Sequence, residues 1–285
     1  MRVIKREFFG VSRPDTFRIV PIGDIHLGAA ACNEDRLRAV VRSVAEDETA
    51  YWIGMADYCD FINRSDPRFN PGALASWITM AHLGDLAAAQ RDRFLGIIEP
   101  IASKCLALVE GNHETAITRH YERAIFHEVV CGVKRLGGFD DDYPLGLGYT
   151  GWLLLSFYRR QNKRSAGRQI KFKLHHGFVG GRLAGAKALN MQRFLWANDC
   201  DIAIMGHSHN TGMQIEAVET ISGSKIIHKK KYGCYSGTFL DSFIDDGPNT
   251  YSEVKGYFPM PNTGVEIHLR PGARYEADRI KVLSA

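Results

Sequence analysis

Five short stretches of the 285-residue chain hold side chains that bind divalent metals: Asp24 with His26, Asp57 with Asp60, Asn112 with His113, His175 with His176, and His207 with His209. Asp24-Ile25-His26 follows the apolar run Phe17–Ile22. In an extended backbone, residues two apart point the same way. Asp24 and His26 are therefore expected to offer one oxygen and one imidazole to a single point. A hard carboxylate beside a borderline imidazole suits a divalent first-row metal. Six of the eleven histidines fall in these stretches, while His82, His120, His127, His228 and His268 are dispersed. Taken alone, each stretch has an ordinary explanation. Asp57 and Asp60 can cap a turn, Asn112 can close one in a left-handed conformation, and His175 can sit satisfied in a strand. Together they share one syntax: an apolar run, then metal-competent residues just past its C-terminal end. In open α/β sheets that edge is where ligands bind.

The elements that position these residues follow from the apolar pattern. Residues 17–23, 51–56, 105–109, 152–158, 169–174 and 201–205 read as strands, with residues 1–16 as an N-terminal extension that supplies an edge strand. Leu37, Val40, Val41 and Val44 recur at helix spacing behind the N-cap candidate Asn33. Strand, helix and strand with short joints make a βαβ unit in a mostly parallel sheet. Helices are expected over 73–103 with a break near Pro100, over 115–136 ending at Gly137-Gly138, and over 183–198. Along 115–136, Ile117, Tyr121, Ile125, Val129 and Val133 sit four apart on one face. The remainder, 212–284, is strand-rich. With no repeat or linker, 1–285 reads as a single domain.

Composition sets the outer limits. The chain is 45% hydrophobic and 24% charged, ordinary for a soluble globular protein. No run approaches the roughly 18 apolar residues a membrane helix needs. Met1–Glu7 lacks the features of a signal peptide, so a cytoplasmic location with no membrane partner is expected. The six cysteines are scattered without a Cys-x-x-Cys, which argues against a zinc ribbon and for reduced thiols. A net charge of +4 is compatible with a polyanionic partner but does not establish one.

In order, Gly-Asp-Ile-His (23–26), Ala-Asp-Tyr-Cys-Asp (56–60), Gly-Asn-His-Glu (111–114), His-His-Gly (175–177) and Gly-His-Ser-His (206–209) resemble the signature blocks of the calcineurin-like metallophosphoesterases. The resemblance spans 17–210. His175-His176-Gly177 with its Gly-rich follow-on, and Tyr251–Tyr257, resemble the phage- and prophage-borne members. The resemblance implies an α/β fold, a sandwich of two mixed sheets flanked by helices in four αββα layers, with two metals at the sheets' shared edge. It also implies roles. Asp24, His26 and His209 would hold the first metal; Asn112, His176 and His207 would hold the second; Asp57 would bridge them. His113 would be the catalytic histidine that binds no metal. In the fourth block His176 is preferred to His175, because the family's histidine precedes Gly and strand alternation turns His175 the other way. Two departures stand out. Ala56 replaces the usual Gly before Asp57. Phe61 stands where the protein Ser/Thr phosphatases carry Arg, which counts against a phosphoprotein phosphatase. Asp60 reads as a residue that orients a ligand or a metal-bound water.

The chemistry of the donor set agrees with these roles. A carboxylate between two cations allows a spacing of about 3.5–4 Å, suited to in-line displacement at phosphorus. Water shared by two dications loses a proton near neutral pH. The resulting hydroxide attacks, and His113 protonates or stabilises the leaving oxygen. A mixed N/O set without Cys suits two divalent ions drawn from Mn²⁺, Fe, Zn²⁺ or Ni²⁺. Arg64, Arg68, Arg182 and Lys187 are candidates to clamp phosphate, although a solvated surface charge is the simpler explanation of each. The basic segment 159–168 and Lys229-Lys230-Lys231 read either as nucleic-acid contacts or as a solvated turn and an edge guarded by lysines. The expected function is hydrolysis of phosphodiesters such as nucleic acid or nucleotides. The alternatives are a phosphomonoesterase and a non-catalytic interaction scaffold. The scaffold would lack donors, yet all five blocks keep theirs.

Overall fold

A computed structural model of the chain describes residues 2–161, 167–178, 183–245, 247, 249–256, 258–275 and 278–285. The elements run β1 (Arg2–Phe8), β2 (Phe17–Ile22), α1 (Glu34–Glu46), β3 (Ala50–Gly54), α2 (Leu86–Ile98), β4 (Cys105–Val109), α3 (Asn112–Tyr121), α4 (Ile125–Gly137), β5 (Gly146–Gly148), β6 (Thr150–Phe157), β7 (Arg168–His175), α5 (Ala184–Ala197), β8 (Ile202–Met205), β9 (Thr211–Ser222), β10 (Lys225–Ser236), α6 (Tyr251–Lys255), β11 (Val265–Leu269) and β12 (Ile280–Ser284).

They build two six-stranded mixed sheets, ordered β1-β6-β7-β8-β10-β9 and β12-β11-β2-β3-β4-β5. Alternation along each strand divides its side chains between two cores. Ile19, Ile53, Leu153, Phe172 and Ile204 meet between the sheets. Val20, Ile22, Trp52 and Leu108 face outward from the second sheet, beneath helical residues Leu37, Phe94 and Val133. Met191 and Leu195 of α5 cover Ala203 and Met205 on the outer face of the first sheet. The result is the expected αββα layering. The βαβ reading holds as well, since β2 and β3 pair in parallel from Arg18–Ala50 to Ile22–Gly54. Asn33 caps α1, its side chain accepting the N–H of Arg36.

Two helix expectations change. Residues 74–85 are not continuous helix. Only a 3-10 turn at His82–Gly84 interrupts this stretch, and α2 starts where the Asp85 side chain accepts the N–H of Ala88. The expected helix 115–136 is two helices, because Glu122 takes a left-handed φ of 53° and ends α3. Tyr121 is consequently 38% exposed, off the face its periodicity predicted, while Ile117, Ile125, Val129 and Val133 are buried. The segment 159–168 does connect an antiparallel pair, β6 and β7, but residues 162–166 lie outside the described residues. No helix among the described residues is long and apolar enough to cross a membrane.

Candidate metal centre

Five strands, β2, β3, β4, β7 and β8, end at one rim shared by both sheets, and each is followed by one of the five blocks. Past the strand ends the backbone does not stay extended. Among the described residues, eight non-glycine residues have a positive φ, and seven belong to this rim: Asp24, His26, Ala56, Asp57, Phe61, His207 and His209. Such conformations cost of order 1–3 kcal/mol each and persist where the surroundings over-determine them. Asp24 and His26 therefore converge through left-handed turns, not through strand alternation. Backbone bonds lace the turns together. The N–H groups of Ile25 and His26 both donate to the Asp57 carbonyl, at 2.9 and 3.0 Å.

The side chains form two adjoining groups. In the first, Nε2 of His26 lies 3.1 Å from Nε2 of His209, which is 3.6 Å from Oδ1 of Asp24. In the second, Nε2 of His176 lies 2.8 Å from Oδ1 of Asn112 and 3.2 Å from Oδ2 of Asp57, and His207 completes the cluster. Asp57 stands between the groups, its Oδ2 also 3.9 Å from Nε2 of His26. These separations test whether a metal fits. Donors bound at 2.0–2.2 Å around a tetrahedral ion lie about 3.3–3.6 Å apart. Two imidazoles aiming the same ring nitrogen at one another satisfy neither lone pair unless a proton or cation sits between them. Burial and the neighbouring His113 and His209 hold the His26 imidazole far below its ordinary range, and burial brings His209 to about 4. Both rings are thus neutral imidazoles, each with one nitrogen lone pair to offer, and the donor sets fit divalent cations.

The carboxylates report the same imbalance. Burial pushes Asp24 up to about 8, and its oxygens accept the N–H of His207 at 3.0 and 2.9 Å. Asp57 is also fully buried, but His113 and His176 outweigh burial and hold it well below the usual range. Two close approaches depend on glycine. A Cβ on Gly111 would stand 2.1 Å from Oδ1 of Asp57, and one on Gly206 would stand 2.8 Å from Oδ2 of Asp24.

The other candidates separate clearly. His113 is buried beside the first group, its Nδ1 bonded to the carbonyl oxygen of Asp60 and its ring edge-on to His26. The Asp60 carboxylate is 3.8 Å from Nδ1 of His26 and 3.9 Å from Nδ1 of His113, beyond hydrogen-bonding reach of either. With His26 and His113 it forms a third group able to hold a cation. His175 turns away from His176, and its Nδ1 accepts the N–H of Gly177 at 2.8 Å. Arg64 and Arg68 lie on the exposed loop after the second block, and Arg68 is engaged by Asp66 at 2.7 Å. Lys187 is half-buried on α5, and Arg182 lies outside the described residues.

One residue at the rim went unassigned in the sequence. Glu114 is fully buried, and its carboxylate accepts the N–H groups of Gly111, Tyr58 and Asp57 at 2.9, 2.9 and 3.2 Å. It ties the second block to the third, and burial raises it to about 7. Its only signal was a place three residues after Gly111, where a capping glutamate stands.

A family model described as calcineurin-like phosphoesterase matches residues 17–211. Among curated proteins no match is found. Solved structures similar to this chain include a metallophosphoesterase from Sphaerobacter thermophilus, 11% identical, with a TM-score of 0.38 over 95% of this chain and 89% of that one. A predicted phosphoesterase from Streptococcus pneumoniae is 10% identical, with a TM-score of 0.34 over 95% and 99%. Vps29 from Entamoeba histolytica, complexed with zinc, is 13% identical, with a TM-score of 0.35 over 94% and 98%.

Proposed function

Since the chain belongs to the calcineurin-like phosphoesterases, metal-dependent hydrolases of phosphate esters, we propose that it cleaves phosphodiesters of the nucleotide or nucleic-acid class. Asp24, His26 and His209 would hold one divalent cation and Asn112, His176 and His207 a second, with Asp57 standing between the two donor groups. The observation that carries this reading is the pair of donor groups, each drawn from distant parts of the chain and spaced as ligands of one ion are spaced. Bound there, divalent cations acidify water and offset the negative charge of the phosphoryl oxygens.

The remaining work falls to protein side chains. The bond from Nδ1 of His113 to the Asp60 carbonyl fixes the ring and leaves Nε2 for the ester. Burial pulls His113 down, but the Asp57 and Asp60 carboxylates prevail and raise it above the ordinary imidazole range. A proton held on Nε2 is then available to the leaving oxygen. Asp60 sets the direction of that ring through its backbone, and Glu114 holds the turns that aim Asp57.

Diester cleavage is favoured over monoester cleavage by the character of the rim. The exposed Tyr149 ring lies on the His176 side, with its centroid 5.6 Å from that imidazole. An apolar flank suits an ester carrying two organic groups. Residues 211–285 supply β9 through β12 and join both sheets, which supports one domain over 1–285.

Elemental analysis of purified protein, paired with matched aryl phosphate mono- and diesters, tests the reading. Two equivalents of Mn, Fe, Zn or Ni and a higher kcat/KM for the diester are expected. A preference for the monoester replaces the diesterase with a monoesterase, and metal-free protein without turnover leaves the scaffold.

A further inference from the structure

Any ester whose phosphorus sits between the two donor groups must lay its organic substituents along the rim. On the His176 side that rim is aromatic. Tyr149 precedes β6, and its ring centroid is 5.6 Å from that of His176 and 6.2 Å from that of His175. Phe178 follows the fourth block, and its centroid is 5.8 Å from that of His175 on a near-perpendicular ring. Tyr149 is 36% exposed although it adjoins His176 of the buried donor cluster, and Phe178, one ring further out against His175, is 46% exposed. His175 is held between them by the N–H of Gly177 on Nδ1, with Phe194 of α5 edge-on against it. The block thus splits its two histidines by the alternation at the end of β7: His176 faces the donors and His175 builds the wall.

We propose that Tyr149, His175 and Phe178 form a stacking wall that receives a nucleobase, or another aromatic ring, borne by the ester substrate. This deepens the phosphodiesterase reading and rests on it. The occupant is a ring because the wall offers π-faces and edges, which pair with flat aromatic groups in offset or edge-on contact. Exposed aromatic rings beside a phosphate site stack bases with little regard to sequence. The three residues determine specificity; they do not touch the reacting atoms.

The test compares two diesters with the same leaving group, thymidine 5′-monophosphate p-nitrophenyl ester and methyl p-nitrophenyl phosphate. The wild type is expected to favour the thymidine ester about tenfold or more in kcat/KM, chiefly through KM. In Phe178→Leu and in Tyr149→Leu the ratio falls about tenfold, and in Phe178→Trp, which keeps a ring, it is retained. Ratios within twofold of wild type in both Leu variants overturn the wall. Binding of thymidine itself to the zinc-loaded full chain, followed by saturation-transfer NMR, gives a readout without turnover. Saturation of the thymine protons that is lost in Phe178→Leu supports the wall; equal saturation in both proteins overturns it. Cleavage of neither ester overturns the diesterase reading, and the NMR measurement then decides the wall by itself.

Discussion

The metal-binding rim and the β9–β10 hairpin lie at opposite extremes of the same molecule. At the rim, strands of four to eight residues stop short and the chain turns through left-handed conformations at seven non-glycine positions. The hairpin pairs without interruption from Thr211–Ser236 to Ser222–Lys225. Rim side chains such as Asp24, Asp57 and His176 are fully or almost fully buried, whereas Ile221 and Ile226 of the hairpin are 74% and 67% exposed. Regular pairing satisfies the backbone locally and asks little of the side chains. Convergence of donors from five strand ends requires irregular backbone, and that backbone persists because hydrogen bonds from several segments over-determine it.

On this contrast, substitutions at the rim act through chemistry and strain, and those at the exposed end of the hairpin, around Ile221 and Ile226, hardly act. The largest effect is expected from Asp57→Asn, which leaves both groups short of a charge; activity falls to baseline and metal content drops below two equivalents by elemental analysis. His113→Ala should lower kcat by about 10²–10⁴-fold while metal content stays at two, and loss of metal in this variant would make His113 a ligand. Gly111→Ala drives a Cβ against the Asp57 carboxylate and should cost about 1–3 kcal/mol in urea unfolding, with weaker metal retention. Ala56→Gly acts in the opposite direction. Ala56 holds a φ of 77°, so glycine relieves strain and should raise stability by about 1 kcal/mol. Ile226→Thr on the hairpin should change stability by less than about 0.5 kcal/mol, and a larger loss would mean that the exposed strand is covered in solution.

The departure at Ala56, which stands in the place of a family glycine, gains a physical meaning from its dihedral. Its size fits the site, but its backbone conformation is one that glycine adopts at no steric cost. Helix boundaries show the same limit. Residues 115–136 carry one continuous apolar period, yet the left-handed turn at Glu122 divides them into α3 and α4. Glu114 was hidden for a further reason. Its three backbone partners lie in two blocks more than fifty residues apart, and no local pattern registers such contacts.

By itself the sequence determined the strands that reach the rim, the metal-competent residues behind each of them, and the divalent class of cation such residues suit. Those properties are local, since apolar runs and side-chain chemistry are written residue by residue. Tertiary structure alone decided which strands neighbour one another, how Asp24 and His26 meet through left-handed turns, and how the buried Glu114 ties the second block to the third. These depend on pairing and packing between segments far apart in the chain, where the energy lies in contacts that neither segment makes alone.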